Sequence, residues 1–202
     1  MSIEVGPQIV LASASPRRKQ LLQQIGVACR VVVSDVDETP YENEVPGDFV
    51  LRMALEKARA VTDKYLPVLA ADTVVVHGGV MMGKPKDQSD AMAMLQRLQG
   101  ACHEVMTSVA ICWQGKEFFA TSDTKVCFDR LSPEQCEAYW RTGEPKDKAG
   151  SYAIQGIGAM FITRIEGSYS GVMGLPLYET AQLLQQVGIA SLLPADDRML
   201  QN

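Results

Sequence analysis

The chain has 202 residues, of which 47% are hydrophobic and 21% charged, a composition typical of a globular domain. Its formal net charge of -5 at pH 7 argues against a nucleic-acid polymer as partner, because such binding needs an extended basic surface. No apolar run reaches the roughly 18 residues that a membrane span needs, and the first residues lack the pattern of a signal peptide. We therefore expect a cytoplasmic protein that makes no contact with a membrane.

Five cysteines are scattered along the chain without a C-x-x-C pair: Cys29, Cys102, Cys112, Cys127 and Cys136. An odd number of cysteines without regular spacing is typical of reduced thiols in a cytosolic protein. We therefore expect all five thiols to be free.

A short apolar run near the N-terminus is followed at once by polar and basic side chains. Ile9–Leu11 predicts a buried strand, and Leu21 and Leu22 lie on one face of the helix that should follow. Ser15 suits the N-cap of that helix, and Pro16 suits its first position, where a missing N–H costs nothing. The segment predicts a strand, a turn and a helix that begins at Pro16.

The basic residues that open this helix indicate an anion site. The free amides of a first helical turn favour negative charge. Arg17, Arg18 and Lys19 add positive charge, and arginine is suited to bidentate contacts with phosphate. The alternative is a plain helix cap whose basic residues face solvent. Local features alone leave both interpretations open.

The rest of the chain alternates strand and helix patterns and then adds a long antiparallel pair. We predict strands over 29–34, 68–76, 103–114, 117–128 and 161–165, and helices over 48–64, 88–98, 132–142 and 176–187. This order indicates an α/β or α+β fold with a mixed twisted sheet flanked by helices. We expect a single domain over 1–202, with a core of about 8–188 and a charged tail over 189–202.

Asp72 interrupts an otherwise apolar strand, between Val68–Ala71 and Val74–Val76. A buried carboxylate is costly unless it is paired or binds a metal ion. Asp72 is therefore the carboxylate that we most expect to be functional. Glu38, in contrast, lies in an acidic loop of a kind that more often faces solvent.

Polar side chains in the turns and glycine-rich loops complete a set of candidate site residues: Ser13, Arg17, Arg18, Glu38, Lys57, Asp72, Lys84, Lys148 and Gln155. No Ser-His-Asp or Cys-His combination stands in a recognisable context. The carboxylates can hold Mg²⁺, and the cations can neutralise charge on a phosphoryl group. A carboxylate beside the metal can accept a proton from an attacking water. This inventory suits metal-dependent cleavage of a phosphoanhydride.

Six short motifs, taken in order, resemble the Maf family of nucleoside triphosphate pyrophosphatases over about residues 8–188. They are Leu-Ala-Ser-Ala-Ser-Pro-Arg-Arg at 11–18, Glu-Lys-Ala at 56–58, Ala-Asp-Thr at 71–73, Gly-Lys-Pro at 83–85, Asp-Lys-Ala-Gly-Ser-Tyr-Ala-Ile-Gln-Gly at 147–156 and Gly-Leu-Pro-Leu at 174–177. The ordered set is far more specific than any one motif.

The resemblance implies an α/β fold related to inosine triphosphatases, in which two lobes surround a deep cleft, and assembly as a homodimer. It also implies Mg²⁺- or Mn²⁺-dependent hydrolysis of a nucleoside triphosphate to the monophosphate and pyrophosphate. By position in the motifs, Asp72 corresponds to the proton acceptor and Glu38 to a carboxylate at the metal. The phosphate-binding set corresponds to Ser13, Arg18, Lys57 and Lys84, with Lys148 in the late loop.

Two branches of the family differ at three positions, which are Arg17, Thr73 and Gln155 in this chain. All three residues resemble the branch that acts on dTTP, UTP and related pyrimidines. A glutamine amide can both donate to and accept from a uracil or thymine edge, whereas a carboxylate only accepts. The loop Asp37–Pro40, however, has a form typical of the branch that prefers 7-methyl-GTP.

Two alternatives to a pyrimidine nucleotide pyrophosphatase remain at this point. The first is a nucleotide-binding regulator of cell division or septum formation, which would need the phosphate site but no general base. The second is a pyrophosphatase for purine nucleotides or 7-methyl-GTP.

Overall fold

A computed structural model describes residues 6–190 of the chain. Seven strands in these residues form one sheet: β1 Ile9–Ala12, β2 Cys29–Val32, β3 Val68–His77, β4 Val80–Met82, β5 Cys102–Trp113, β6 Lys116–Phe128 and β7 Ile162–Glu166. The α-helices are α1 Pro16–Gln24, α2 Pro46–Arg59, α3 Gln88–Leu98, α4 Pro133–Arg141, α5 Tyr169–Val172 and α6 Leu177–Gln186. The tail expected at 189–202 lies almost entirely outside the described residues.

The sheet is mixed, as predicted from the order of the elements. Its strand order is β2-β1-β3-β5-β6-β7, with β4 paired to β3. The β1 strand runs parallel to both β2 and β3, whereas β3, β5, β6 and β7 pair antiparallel. All four residues of β1 are buried, because helices cover both faces of the sheet here: Ile9 and Leu11 pack with α1 and α6, and Val10 and Ala12 pack with α2.

The sheet opens along one edge of β3, and this opening places the cavity described below. On that edge, β3 pairs with β1 only at Val68 and Leu69, and with β4 only from Val75 to His77. The residues between them, including Asp72 and Thr73, have no strand partner there within the described chain. The chain leaving β1 turns away at this point, so polar groups of β3 face a cleft instead of another strand.

Helix α2 packs against β3 and β5 through a buried stripe that includes Met53, Ala54 and Ala58. Lys57 lies in the same buried stripe, near the C-terminal end of the helix. The helix ends at Arg59, and the predicted end at 64 is wrong. The Asp63 carboxylate accepts hydrogen bonds from the amides of residues 65 and 66 and folds the chain into a turn before β3.

The expectation of five free thiols is also wrong. Cys102 and Cys127 lie directly opposite each other in the β5–β6 register and form a disulfide, while Cys29, Cys112 and Cys136 remain free. The two Cα atoms are 3.9 Å apart because the strands pair antiparallel at this position. A separation of 25 residues in sequence gave no sign of this pairing.

Two element boundaries differ from the sequence prediction for local reasons. The β2 strand ends at Val32, two residues before the predicted end, where the acidic loop begins. The segment predicted as a loop over 147–158 contains short 3₁₀ turns at Glu144–Asp147, Ala149–Ser151 and Ile157–Phe161.

None of the helices within residues 6–190 has the length and apolar character needed to cross a membrane.

Candidate active site

A cavity of about 480 Å³ lies where the sheet opens beside β3. Its lining includes every residue that the sequence analysis assigned to catalysis, substrate or metal: Ser13, Arg17, Arg18, Glu38, Lys57, Asp72, Thr73, Lys84, Lys148 and Gln155. These residues come from six separate segments of the chain. The fold therefore brings the whole candidate set together in one place.

Lys57 joins the two candidate carboxylates. Its Nζ atom lies 2.7 Å from Asp72 Oδ1 and 2.7 Å from Glu38 Oε1. Asp72 and Lys57 are both buried, whereas the Glu38 side chain remains 57% exposed. Because both carboxylates contact one nitrogen atom, they are close neighbours at the wall of the cavity. The salt bridge to Lys57 on α2 offsets the cost of burying the Asp72 carboxylate in its strand.

The two carboxylates differ in pKa because their surroundings differ. Burial raises the pKa of Asp72, and the opposing effect of the nearby Lys57 and Arg18 charges does not cancel it. Partial burial also acts on Glu38, but the hydrogen bond and charge of Lys57, with Lys84 and Arg18, hold the pKa of Glu38 below its ordinary value. The surroundings therefore make Asp72 a stronger base, and Glu38 a weaker base, than the same residue in water.

Arg18 is fixed in the cavity wall by three groups. Its Nε donates to the Gly174 carbonyl at 2.8 Å, and its terminal nitrogens lie 3.1 Å from Ser13 Oγ and 3.4 Å from Thr73 Oγ1. Burial lowers the pKa of this guanidinium, but the group stays charged because arginine titrates far above neutral pH. A rigid cation thus faces the cavity without an ion-pair partner of its own among the described residues.

The hydroxyl of Thr73 is oriented from behind by Thr107. Thr107 Oγ1 lies 2.8 Å from the Gly171 carbonyl and 3.0 Å from Thr73 Oγ1. The Thr107 hydroxyl is the donor in both contacts, so its proton is shared between the Gly171 carbonyl and Thr73 Oγ1. Thr73 Oγ1 also accepts from Arg18 at the cavity wall. Sequence reasoning missed Thr107, which is a buried polar residue in a strand with an ordinary alternating pattern.

The remaining cations differ in how freely they can meet a ligand. Arg17 lies 3.6 Å from the Asp147 carboxylate, and Lys148 contacts Asp147 and donates to the Glu144 carbonyl at 3.2 Å. Lys84 makes no salt bridge within residues 6–190 and is exposed at the rim of the cavity. These positions leave several positive charges facing one space of nucleotide size.

The turn that opens α1 lacks a side-chain cap. Ser15 has the extended backbone of an N-cap, but its side chain makes no capping hydrogen bond. Its own amide donates to Ser13 Oγ at 3.2 Å, so Ser13 connects the turn to Arg18. Arg17 and Arg18 line the cavity, whereas Lys19 is exposed and points away from this set. The α1 amides are thus left free beside two arginines.

Gln155 is exposed at the cavity, on the late loop between β6 and β7. Within residues 6–190 its side-chain amide makes no hydrogen bond to another residue, so it is available to a ligand. Behind it, the Tyr152 hydroxyl lies 2.8 Å from Nε2 of the buried His103. Burial lowers the pKa of His103 to about 4, so this imidazole is neutral at physiological pH. Its hydrogen bond holds Tyr152 in the cavity wall.

The loop that carries Glu38 is held down by Arg52, which sequence reasoning also missed. The guanidinium of Arg52 binds both Glu44 carboxylate oxygens, at 2.6 and 2.7 Å, and donates to the Thr39 carbonyl at 3.2 Å. It also stacks on Tyr41, 3.8 Å from the ring centroid. A salt bridge from a helix to the loop that precedes it has no regular spacing by which the sequence could reveal it.

The donor set fits a magnesium ion that is shared with a phosphate ligand. Mg²⁺ in such sites is held by one or two carboxylates, waters and phosphate oxygens. Glu38 and Asp72 supply two neighbouring carboxylates, and no group of three or more His, Cys, Asp or Glu side chains in residues 6–190 could hold a metal alone. The site therefore suits a metal that arrives with its substrate better than a permanently bound one.

Known proteins resemble this chain over most of its length. A family model described as "Maf-like protein" matches residues 8–187. The dTTP/UTP pyrophosphatase of Methylobacillus flagellatus is 50% identical over 187 residues, covering 91% of this chain and 94% of that protein. The protein of the same name from Aliivibrio fischeri is 50% identical over 186 residues, covering 89% and 97%.

A third relative, the dTTP/UTP pyrophosphatase of Alkalilimnicola ehrlichii, is 49% identical over 197 residues, covering 94% of this chain and 97% of that protein. Among solved structures, the Ham1 protein of Staphylococcus aureus aligns with a TM-score of 0.41 and 15% identity, covering 59% of this chain and 71% of that chain. The family model alone spans nearly all of the described residues, so the chain belongs to the family of Maf-like proteins.

Proposed function

We propose that this protein is a nucleoside triphosphate pyrophosphatase that acts on dTTP, UTP and related or modified pyrimidine nucleotides. Relatives that share half of its residues over most of its length are named dTTP/UTP pyrophosphatases. The observation that carries the proposal is one cavity that holds a buried, relatively basic Asp72 together with a surplus of fixed cations. A phosphoanhydride hydrolase needs both features.

The cations bind and orient the triphosphate. Arg18, the free amides of α1 and the unpaired Lys84 offer positive charge around the cavity, where phosphate oxygens would replace water. Lys57 is already engaged with Asp72 and Glu38, so it holds both carboxylates in place as well as adding charge. Fixed cations of this kind stabilise the charge that develops on the leaving pyrophosphate.

Asp72 is the proposed general base. It would accept a proton from the water that attacks the α-phosphorus, while the bond from that phosphorus to the bridging oxygen breaks and pyrophosphate leaves. A carboxylate whose pKa lies above the ordinary value is a stronger base than an ordinary aspartate. Glu38 and Asp72 are also the residues that would hold Mg²⁺ or Mn²⁺, which supplies further charge neutralisation at the phosphates.

Gln155 is the proposed reader of the base. Its free amide can accept a hydrogen bond from the N3–H of uracil or thymine and donate one to a neighbouring carbonyl oxygen. Arg17 and Thr73, the other two residues that resemble the pyrimidine branch, line the same cavity. We extend the proposal to the homodimer and the cytoplasmic location expected from the family resemblance.

One assay tests the proposal against its alternatives. Purified protein with Mg²⁺ is given dTTP, UTP, ITP and 7-methyl-GTP side by side, and pyrophosphate and nucleoside monophosphate are measured. We expect release of pyrophosphate from dTTP and UTP at rates well above those for the other two. A preference for ITP or 7-methyl-GTP would assign the purine-type activity instead, and binding of dTTP without turnover would assign a regulator.

A further inference from the structure

Glu144 lies outside the cavity but is bonded to the loop that carries Gln155. Its Oε1 accepts from the Tyr139 hydroxyl at 2.7 Å and from the Gly158 amide at 3.0 Å, and its Oε2 accepts from the Ile157 amide at 2.9 Å. Burial disfavours its charged form, but these donors hold the pKa of Glu144 below the ordinary value. The carboxylate therefore stays ionised and satisfied by three donors at physiological pH.

These contacts fix the backbone on both sides of Gln155. Tyr139 accepts from the Ala153 amide at 3.0 Å, two residues before Gln155, while Glu144 holds the amides two and three residues after it. Gly156 lies flat against the same carboxylate, and a Cβ atom at this position would overlap it. The backbone of Gln155 is thus held at both ends, while its amide side chain is left free.

The same residue also locates a cation of the cavity. The Glu144 carbonyl accepts from Lys148 Nζ at 3.2 Å, within the short 3₁₀ turn that begins at Glu144. Glu144 thus connects α4, through Tyr139, with the parts of the late loop that carry Gln155 and Lys148. No other charged side chain in the described residues bonds to the amides that follow Gln155.

We propose that Glu144 is a positioning residue for base recognition, which sets the place of Gln155 against the N3–H edge of the pyrimidine. This inference rests on the proposed function of Gln155 as the reader of the base. A glutamine recognises an edge only when its amide is correctly placed, and a small displacement loses the hydrogen bonds. The role of Glu144 in this scheme is indirect, because it touches neither the base nor the phosphates.

The test compares UTP with 3-methyluridine triphosphate, in which a methyl group replaces the N3–H donor. The selectivity is the ratio of kcat/KM for UTP to kcat/KM for the methylated substrate. In Glu144→Gln, an NH₂ group replaces one accepting oxygen and must face a backbone N–H, so the loop shifts. We expect the selectivity to fall about tenfold, the effect of one lost hydrogen bond.

Three matched measurements separate positioning from general damage. Inorganic tripolyphosphate, which has no base, should inhibit Glu144→Gln and the unchanged protein with constants that agree within about twofold, because the variant keeps the Glu144 backbone carbonyl that contacts Lys148 and the other cavity cations lie on other segments. Glu137→Gln, an exposed carboxylate on α4, should leave the selectivity unchanged. Tyr139→Phe, which removes the hydroxyl but keeps the ring, should lower the selectivity in the same direction as Glu144→Gln.

The double variant Glu144→Gln/Gln155→Ala distinguishes this inference from the proposed function. If Glu144 acts through Gln155, the double variant has the selectivity of Gln155→Ala alone. If Gln155→Ala does not change the selectivity, the proposed function of Gln155 fails. If Gln155→Ala lowers it and both Glu144→Gln and Tyr139→Phe leave it unchanged, the positioning role fails alone. If Glu144→Gln lowers kcat/KM equally for UTP and the methylated substrate and weakens inhibition by tripolyphosphate to the same degree, Glu144 is merely structural and the inference is overturned.

Discussion

Asp72 is the residue whose position and chemistry are hardest to replace. It lies in a buried strand, contacts Lys57 at 2.7 Å and has a raised pKa. Asparagine has nearly the same shape but cannot accept a proton from water. We expect Asp72→Asn to lower kcat by about a thousandfold, the contribution of a general base, while KM changes little. Pyrophosphate release measures the effect, with the exposed Asp123→Asn as control. Retention of a tenth of the activity would exclude Asp72 as the base.

The pH dependence of turnover follows from the same carboxylate. A base must be deprotonated, so kcat/KM falls as the pH drops through the pKa of Asp72. Because burial raises that pKa, the acidic limb should have its midpoint above the ordinary aspartate value of about 3.9. The negative charge of Glu38 raises it further, so in Glu38→Gln the midpoint should move to lower pH. Glu42→Gln, on the same loop, is the control, and a shift to higher pH would contradict this assignment.

Individual residues also show where sequence reasoning succeeds. Asp72 could be singled out because a charge inside an apolar strand is costly, and that argument needs no structure. Thr107 and Glu144 could not be singled out from the sequence. Thr107 donates to a carbonyl 64 residues away, and Glu144 accepts from amides 13 and 14 residues away. Such contacts form only in the folded chain, and neither residue type nor sequence spacing predicts them.

At the scale of elements, two helices begin with the same Ser-Pro pair but are capped differently. Ser132 accepts from the Gln135 amide at 3.3 Å, and its own amide donates to the Gln135 side chain at 2.8 Å, which forms a capping box. The Ser15 side chain makes no such bond. We expect Ser132→Ala to lower the free energy of unfolding by about 1 kcal/mol, and Ser15→Ala by only a few tenths. Urea denaturation without ligand measures both, and an equal or larger effect at Ser15 would contradict the assignment.

The existence and order of the elements were predictable, whereas some of their boundaries and pairings were not. Alternating and helical apolar patterns located the sheet strands and the flanking helices. The end of α2 was missed because the side chain of Asp63 folds the next turn, and the Cys102–Cys127 disulfide was missed because strand register decides which cysteines meet. The opening of the sheet beside β3 likewise depends on how far β1 and β4 extend along it.

At the scale of the whole molecule, ligand binding should stabilise the fold, because the cavity is built from segments distant in sequence. At a dTTP concentration of about 100 times Kd, binding to the folded state raises the free energy of unfolding by roughly 2.7 kcal/mol. For a chain of this size, this corresponds to a rise in Tm of about 5–10 °C. The variant Asp72→Asn should bind the nucleotide without hydrolysing it. In this variant the rise in Tm should therefore persist over time.

The time course of that stabilisation separates an enzyme from a binding regulator. In the unchanged protein with Mg²⁺ and dTTP, the rise in Tm should fade as the triphosphate is consumed, since the monophosphate lacks the β- and γ-phosphates that we propose Arg18 and Lys84 bind. Lys84→Met in the Asp72→Asn background should reduce the initial rise, because it removes the one lysine of the cavity rim that makes no salt bridge within residues 6–190. The control is Lys116→Met, which alters an exposed lysine at the far hairpin. A rise that persists in the unchanged protein without pyrophosphate release would show that the cavity binds nucleotide and does not hydrolyse it.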